Sequence, residues 1–76
     1  MSPLLSQIEI AVLRLIARGL TDREIAQTLG KSPRTIDSHR NKLLYKTNSH
    51  HRVQLARYAV AKGYVPVEWD STSFDG

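Results

Sequence analysis

Residues 31–47, which include a predicted helix at about 33–47, contain the side chains whose chemistry points most directly to a partner. In a helix, where successive residues turn by about 100°, Ile36, Leu43 and Thr47 lie on one side of this segment and are expected to face a core. The opposite side has no aliphatic residue and no Glu, whereas a merely solvated face more often pairs Glu with Lys four residues apart. Guanidinium, amide and hydroxyl groups form hydrogen bonds with base edges in the major groove of DNA. The candidates for base contacts are Arg34, Asp37, Ser38, Asn41 and Tyr45.

The same segment offers groups that bind phosphate. The first backbone N–H groups of a helix point outward and attract anions, and two hydroxyl groups and a lysine stand at this point of the sequence. Further lysines follow on the flank of the helix. Phosphate contacts hold a protein in register on DNA, whereas base contacts select the sequence. The predicted phosphate ligands are Lys31, Ser32, Thr35, Lys42 and Lys46.

The charge of the 76-residue chain is unevenly distributed. The formal net charge is +4, but residues 1–30 are neutral, residues 31–62 carry +7 and residues 63–76 carry −3. A basic half beside a neutral half favours a polyanionic partner. A solubilising surface is the alternative explanation of the same charges.

Composition excludes several classes of protein. There is no cysteine, so disulfide frameworks, thiolate metal sites and cysteine nucleophiles are absent. His39, His50 and His51 have no carboxylate at ligand spacing, so packing is favoured over a metal site. The sequence contains no nucleophile motif and no glycine-rich loop. We therefore expect that the protein is not an enzyme and that it binds no cofactor and no small-molecule substrate. Without a long apolar run or a secretory signal, no membrane partner is expected and the predicted location is the cytoplasm, associated with the nucleoid when bound.

Capping signals divide the chain into four predicted helices and no strand. Residues 6–9 and 21–24 both have the form Ser/Thr-x-x-Glu of a capping box. Ser32, followed by Pro33, begins a third helix, and Ser49 is the predicted cap of a fourth. Left-handed residues that end the helices are expected at Gly19, Gly30, Asn48 and Gly63.

The second and third predicted helices are separated only by Gly30-Lys31-Ser32, the spacing of a helix-turn-helix. The fold class is therefore all-α, a four-helix bundle in which helices 2 and 3 form this motif. Residues 1–65 are predicted to form one domain, and residues 66–76 a polar tail from which Trp69 could fold back. Met1 lies a few residues before the first helix, which favours a stand-alone protein over the effector part of a larger regulator.

The fourth predicted helix has an apolar arc wider than packing in the bundle requires. One stripe contains Val53, Ala56 and Val60, and a second contains Leu55 and Ala59. The arc either packs wholly inside the bundle or presents one stripe to a second copy across a two-fold axis. The predicted dimer interface consists of Val53, Leu55, Ala56 and Ala59.

The chain resembles the LuxR-type (NarL/FixJ- or GerE-type) DNA-binding domain from about residue 5 to residue 60. The resemblance rests on motifs that extend along the first three helices: Leu5-Ser6-x-x-Glu9, Val12-Leu13-x-Leu15, Gly19-Leu20-Thr21, Glu24-Ile25-Ala26-x-x-Leu29, Ser32-x-x-Thr35-Ile36-x-x-His39 and Lys46. It implies a bacterial transcription regulator whose third helix enters the major groove of double-stranded DNA and whose fourth helix forms a homodimer on a roughly palindromic site. RNA polymerase is a further partner of such a regulator. By position, Thr35 and Lys46 would contact the DNA backbone, Ile36 would lie in the core, and Asp37, Ser38 and Asn41 would contact bases.

Three positions depart from the family pattern. Ile8 stands where the family usually has Arg, and Thr47-Asn48 stands where it has Leu-Gly. Asp37 stands where a basic or neutral residue is common. Its carboxylate would repel phosphate, but it could accept from the N4 amino group of cytosine or pair with Arg34 or Arg40.

Two other functions fit a basic helical domain. One is a protein-binding adaptor whose third helix docks another protein, which would lack the steep salt dependence of DNA binding. The other is an RNA-binding module, but such modules usually stack bases on aromatic side chains, and the basic half offers only Tyr45 and Tyr58.

Overall fold

Four helices form among residues 4–65, the part of the chain that the computed structural model describes. They are α1 (Gln7–Ala17), α2 (Asp22–Leu29), α3 (Pro33–Lys46) and α4 (Arg52–Ala61). No strand occurs in this part of the chain, so the predicted all-α class is confirmed. The predicted tail, residues 66–76 with Trp69, lies outside the described residues.

The first three helices begin as their sequences predict. The hydroxyl groups of Ser6, Thr21 and Ser32 each accept a hydrogen bond from the backbone N–H three residues later. In α1 and α2 the Glu at that position accepts in turn from the backbone N–H of the cap residue at 2.8 Å, which completes both capping boxes. These bonds satisfy donors that the helix itself leaves without partners.

All four helices end in a Schellman motif, in which a left-handed residue lets two terminal carbonyl groups accept hydrogen bonds. At the end of α3, the N–H of Asn48 donates to the carbonyl of Tyr45 at 3.2 Å, and that of Ser49 donates to Leu44 at 2.8 Å. Asn48 takes φ 55° without being a glycine. Asn tolerates this region better than most residues do because its short polar side chain can form local hydrogen bonds.

The start of α4 differs from the prediction that Ser49 caps it. The helix begins at Arg52, and its cap residue, His51, makes no side-chain hydrogen bond to the helix. Ser49 is unavailable because its N–H closes the end of α3 and its hydroxyl is hydrogen-bonded to the hydroxyl of Thr47 at 2.8 Å. The N–H of His50 instead donates to the Gln54 side chain at 2.5 Å.

Helix α1 lies at the centre and packs against each of the other three helices. The largest buried side chains come from all four helices, so one core holds the bundle together; they are Val12, Leu13, Ile25, Ile36, Leu43 and Leu55. Within the described residues, no helix is long and apolar enough to cross a membrane.

Candidate nucleic-acid interface

Helix α3 turns its apolar side inward and its polar side to solvent. Ile36 and Leu43 are completely buried, and His39 and Arg40 flank them half-buried. Thr47 is also half-buried, and its hydroxyl donates to the carbonyl of Leu43 at 2.7 Å. The outer side contains every predicted base-contacting residue in an exposed position: Arg34, Asp37, Ser38, Asn41 and Tyr45.

The outer side is accessible along its whole length. The ring of Tyr45 is 88% exposed at the far end of the helix. A shallow, open concavity follows the same side and is lined by Ser38, Asn41, Lys42, Tyr45 and Lys46. Predicted base-contacting and phosphate-binding residues therefore share one surface, which no other helix among residues 4–65 covers.

The N-terminus of α3 keeps one hydroxyl proton available for an anion. The Ser32 and Thr35 hydroxyl groups are hydrogen-bonded to each other at 2.9 Å, while the Ser32 oxygen also accepts from the Thr35 N–H at 3.1 Å. Two hydroxyl groups have two protons, and their mutual bond uses one. Lys31 stands exposed beside them, so donors and positive charge converge where the helix dipole attracts anions.

Asp37 is paired with a neighbour on its own helix. One carboxylate oxygen accepts from the Nη2 group of Arg40, one turn further along, so the structure forms one of the two arginine pairings considered for this residue. The other oxygen accepts from the Asn41 amide nitrogen at 3.4 Å. Asp37 is therefore a neutralised acceptor on the outer surface rather than an isolated negative charge.

The Asp37–Arg40 pair continues into the other helices. The Nη1 group of Arg40 binds Asp22 at the start of α2. Asp22 also binds Nη1 of Arg52, at the start of α4, at 3.1 Å, and Arg52 donates to the carbonyl of Leu20 as well. Four side chains of alternating charge thus connect three helices. The contacts with Asp22 could not be predicted from local sequence patterns, because 18 and 30 residues separate the partners.

Lys46, predicted to be a phosphate ligand, forms an ion pair with Glu9 within the bundle. Its Nζ lies 2.7 Å from Oε1 of Glu9, which is only 3% exposed, and 3.5 Å from the carbonyl oxygen of Leu4. An ammonium group has three protons, and its side chain is 31% exposed. Lys46 therefore joins the end of α3 to the start of α1, and its contact with phosphate stays a prediction.

The Glu9 carboxylate remains charged despite its burial. Burial by itself would raise the pKa of Glu9, but hydrogen bonds from Lys46 and from Ser6, with the charge of Lys46, hold it below the usual value of 4.5. Glu24, the corresponding residue of α2, has its pKa lowered by its hydrogen bonds with Thr21. Both glutamates are capping-box residues, and within the described part of the chain only Glu9 also forms an ion pair.

The structure divides the predicted dimer interface in two. Leu55 and Ala59 are 0% exposed and belong to the core, so they have no surface left for a second copy, and their assignment to an interface is corrected. Val53 is 63% exposed and Ala56 is half-buried. Of the two apolar stripes of α4, the one formed by Val53, Ala56 and Val60 therefore still has exposed surface for a second copy.

Among residues 4–65, no three His, Asp or Glu side chains lie close enough together to hold a metal ion. His39 is the one histidine with an unusual environment, since its Nδ1 atom is buried without a hydrogen-bond partner in this part of the chain.

Comparison with known proteins shows which family this chain resembles. The family model of the bacterial regulatory proteins of the luxR family (GerE) matches residues 3–59. Among curated proteins, the oxygen regulatory protein NreC of Staphylococcus carnosus is 36% identical over 59 residues, which are 78% of this chain and 27% of that protein.

Two further relatives agree with this match. The response regulator UvrY of Escherichia coli K12 is 33% identical over 64 residues, covering 84% of this chain and 29% of the relative. The probable transcriptional regulator ycf29 of Pyropia yezoensis is 32% identical over 68 residues, covering 90% and 31%. This chain spans less than a third of the length of each of these three relatives.

Proposed function

The chain belongs to the bacterial regulatory proteins of the luxR family, and from this premise we propose that it binds double-stranded DNA in a sequence-specific way to regulate transcription. Members of this family are DNA-binding transcription factors and not enzymes. We place α3 in the major groove, with the protein acting in the bacterial cytoplasm on the nucleoid. RNA polymerase is the protein partner that such regulation implies.

One observation carries this proposal: the outer side of α3 is exposed and polar along its whole length, while Ile36 and Leu43 are completely buried. The 14 residues of α3 form a rod about 21 Å long at 1.5 Å per residue, and the major groove admits a helix of this kind. The side chains that we assign to base contacts are Arg34, Asp37, Ser38, Asn41 and Tyr45.

Phosphate groups are bound at both ends of α3 in this proposal. Lys31, with the free hydroxyl proton of Ser32 and Thr35, holds one phosphate at the N-terminus. Lys42 is exposed and forms no ion pair within residues 4–65, so its ammonium group is available to the other strand. Lys46 is held by Glu9 at 2.7 Å. From the edge of the same surface, its ammonium group donates a further hydrogen bond to phosphate.

The test is selection of bound duplexes from a random-sequence pool by the chain, followed by titration of the selected duplex at several salt concentrations. We expect a defined site and a linear loss of log affinity with log salt, with a slope of about −0.9 for each phosphate neutralised. Recovery of random sequence, or affinity that does not change with salt, would contradict DNA recognition and favour the protein-adaptor alternative.

We further propose that two copies bind together, through the Val53 stripe of α4, to a roughly palindromic site. An isologous interface uses the same residue twice, so Val53→Glu would bring two like charges together, at a cost on the order of several kcal/mol. We expect the number of chains on the selected duplex to fall from two to one, measured by analytical ultracentrifugation.

Ala61→Glu is the matched control, because it adds the same charge at another exposed position of α4. It should leave two chains on the duplex. Two chains with Val53→Glu would rule out this interface. The core residue Leu55 is unsuitable for this test, because a charge there would unfold the bundle.

A further inference from the structure

A chain of four side chains connects the exposed outer side of α3, the proposed recognition surface, to the starts of α2 and α4. It consists of Arg52, Asp22, Arg40 and Asp37, whose charges alternate in sign. Asp22 and Arg40, in the middle, are only 25% and 22% exposed, whereas Asp37, at the outer end, is 53% exposed. The two less exposed members in the middle therefore hold Asp37, the most exposed of the four, in place.

Arg40 is suited to this position because its guanidinium group is a rigid, planar fork. Nη1 binds Asp22 on α2, while Nη2 binds Asp37 on α3. With one arm fixed to a neighbouring helix, the other arm determines where the Asp37 carboxylate lies. The same contact offsets the negative charge that would otherwise repel the phosphates of DNA.

A fifth side chain, that of Asn41, is hydrogen-bonded to Asp37 at the outer end of the chain of charges. A carboxylate only accepts hydrogen bonds, so the amide nitrogen of Asn41 faces Asp37, at 3.4 Å from Oδ2. The amide oxygen of Asn41 is left as an acceptor for an external group. Asp37 and Asn41 together thus present acceptor atoms on the exposed side of α3, next to the open concavity that Asn41 lines.

We propose that Arg40, anchored by Asp22, is a positioning residue for base specificity: it orients Asp37, and through it Asn41, toward an exocyclic amino group. In the major groove such a group occurs on cytosine and adenine and not on guanine or thymine. Arg40 itself touches no base. This inference rests on the proposed function and deepens it, by naming the chemistry that one part of the recognition surface selects.

The experiment starts from the duplex that the chain selects from a random-sequence pool. Every base pair of that duplex is varied singly, and the position whose preference disappears in Asp37→Ala is identified as the one that Asp37 contacts. Binding to these duplexes is then compared for Arg40→Gln, Arg40→Lys and the double variant Asp37→Ala/Arg40→Gln. Circular dichroism confirms that each variant keeps its helices.

In Arg40→Gln, we expect discrimination among the four base pairs at that position to fall about tenfold, within the range that one well-placed contact supplies. Arg40→Lys keeps the charge but not the fork, so it should lose part of the discrimination while its affinity for unselected duplexes stays unchanged. In the Asp37→Ala background, Arg40→Gln should change the preference no further.

Other outcomes overturn the inference. If Arg40 bound phosphate, Arg40→Gln would weaken all duplexes equally and reduce the salt slope by about one, with or without Asp37. The exocyclic amino group at that base pair can also be removed, by placing 2-pyrimidinone for cytosine or purine for adenine; if the preference that depends on Asp37 then stays intact, the acceptor chemistry is contradicted. Failure of the unaltered chain to select any sequence would instead remove the proposed function, and this inference with it.

Discussion

Lys46→Met is expected to lower the free energy of unfolding by about 3 kcal/mol at pH 7, the size typical of removing one partner from a buried ion pair. The Glu9 carboxylate is 3% exposed and accepts from Lys46 at 2.7 Å. Without the ammonium group it keeps only its hydrogen bond from Ser6 and is left as a buried charge. For a domain of this size, that loss is a large part of the total stability.

The effect should depend on pH in a defined direction. In the unaltered chain, the pKa of Glu9 lies below its usual value of 4.5, so Glu9 contributes stability above that pH and the contribution is lost as the pH falls through the folded-state pKa. In Lys46→Met, burial is no longer opposed by the lysine, and the pKa of Glu9 rises. The difference between the two proteins should therefore be largest at neutral pH. It should shrink as the pH falls through the raised pKa of Glu9 in the variant and then through the lowered pKa in the unaltered chain.

Urea unfolding followed by circular dichroism at pH 7 and pH 3.5 measures both effects. Lys42→Met is the matched control, because it makes the same change on the same helix at an exposed lysine without an ion pair among residues 4–65. It should alter stability by no more than about 0.5 kcal/mol. Equal losses for the two variants, or a loss for Lys46→Met that is the same at both pH values, would show that Glu9 does not depend on Lys46.

Asn41→Ala is expected to relax base preference at one position of the selected duplex, at a cost of about 1–3 kcal/mol on that duplex. Its amide is exposed beside Asp37 and makes no contact with the core, so the folded domain should keep its stability. Affinity for random duplexes and the slope of log affinity against log salt should stay the same, because no phosphate contact is removed.

Lys42→Ala provides the contrast on the same helix. Loss of its ammonium group should weaken the selected and the random duplex alike and flatten the salt slope by about one unit. Fluorescence anisotropy at several salt concentrations separates the two behaviours. If Asn41→Ala weakened selected and random duplexes to the same extent, Asn41 would not be a base contact.

The parts of this structure that are determined locally could be predicted from the sequence. The capping boxes at Ser6 and Thr21, and the left-handed position of Asn48, depend on residues within a few positions of one another. The exposure of the outer side of α3 follows from helical periodicity and the absence of aliphatic residues there. Local rules therefore predicted the exposed polar side of α3.

Contacts between distant residues decided the rest. Periodicity showed two apolar stripes on α4 but not that α1 would bury the stripe of Leu55 and Ala59. A capping-box glutamate is ordinarily a surface residue. The burial of Glu9 under Lys46 results from the packing of α1 against α3, so it could not be predicted from the sequence of α1 alone. The same holds for Asp22, whose two arginine partners lie on α3 and α4.

The most direct test of DNA recognition by α3 is NMR of the isotopically labelled chain during titration with its selected duplex. We expect the largest chemical-shift changes at the outer residues of α3, among them Arg34, Ser38 and the side-chain amide of Asn41. The exposed residues of α1 should stay nearly unchanged. Large changes confined to α1 or α4, with the outer side of α3 unaffected, would contradict DNA recognition by α3.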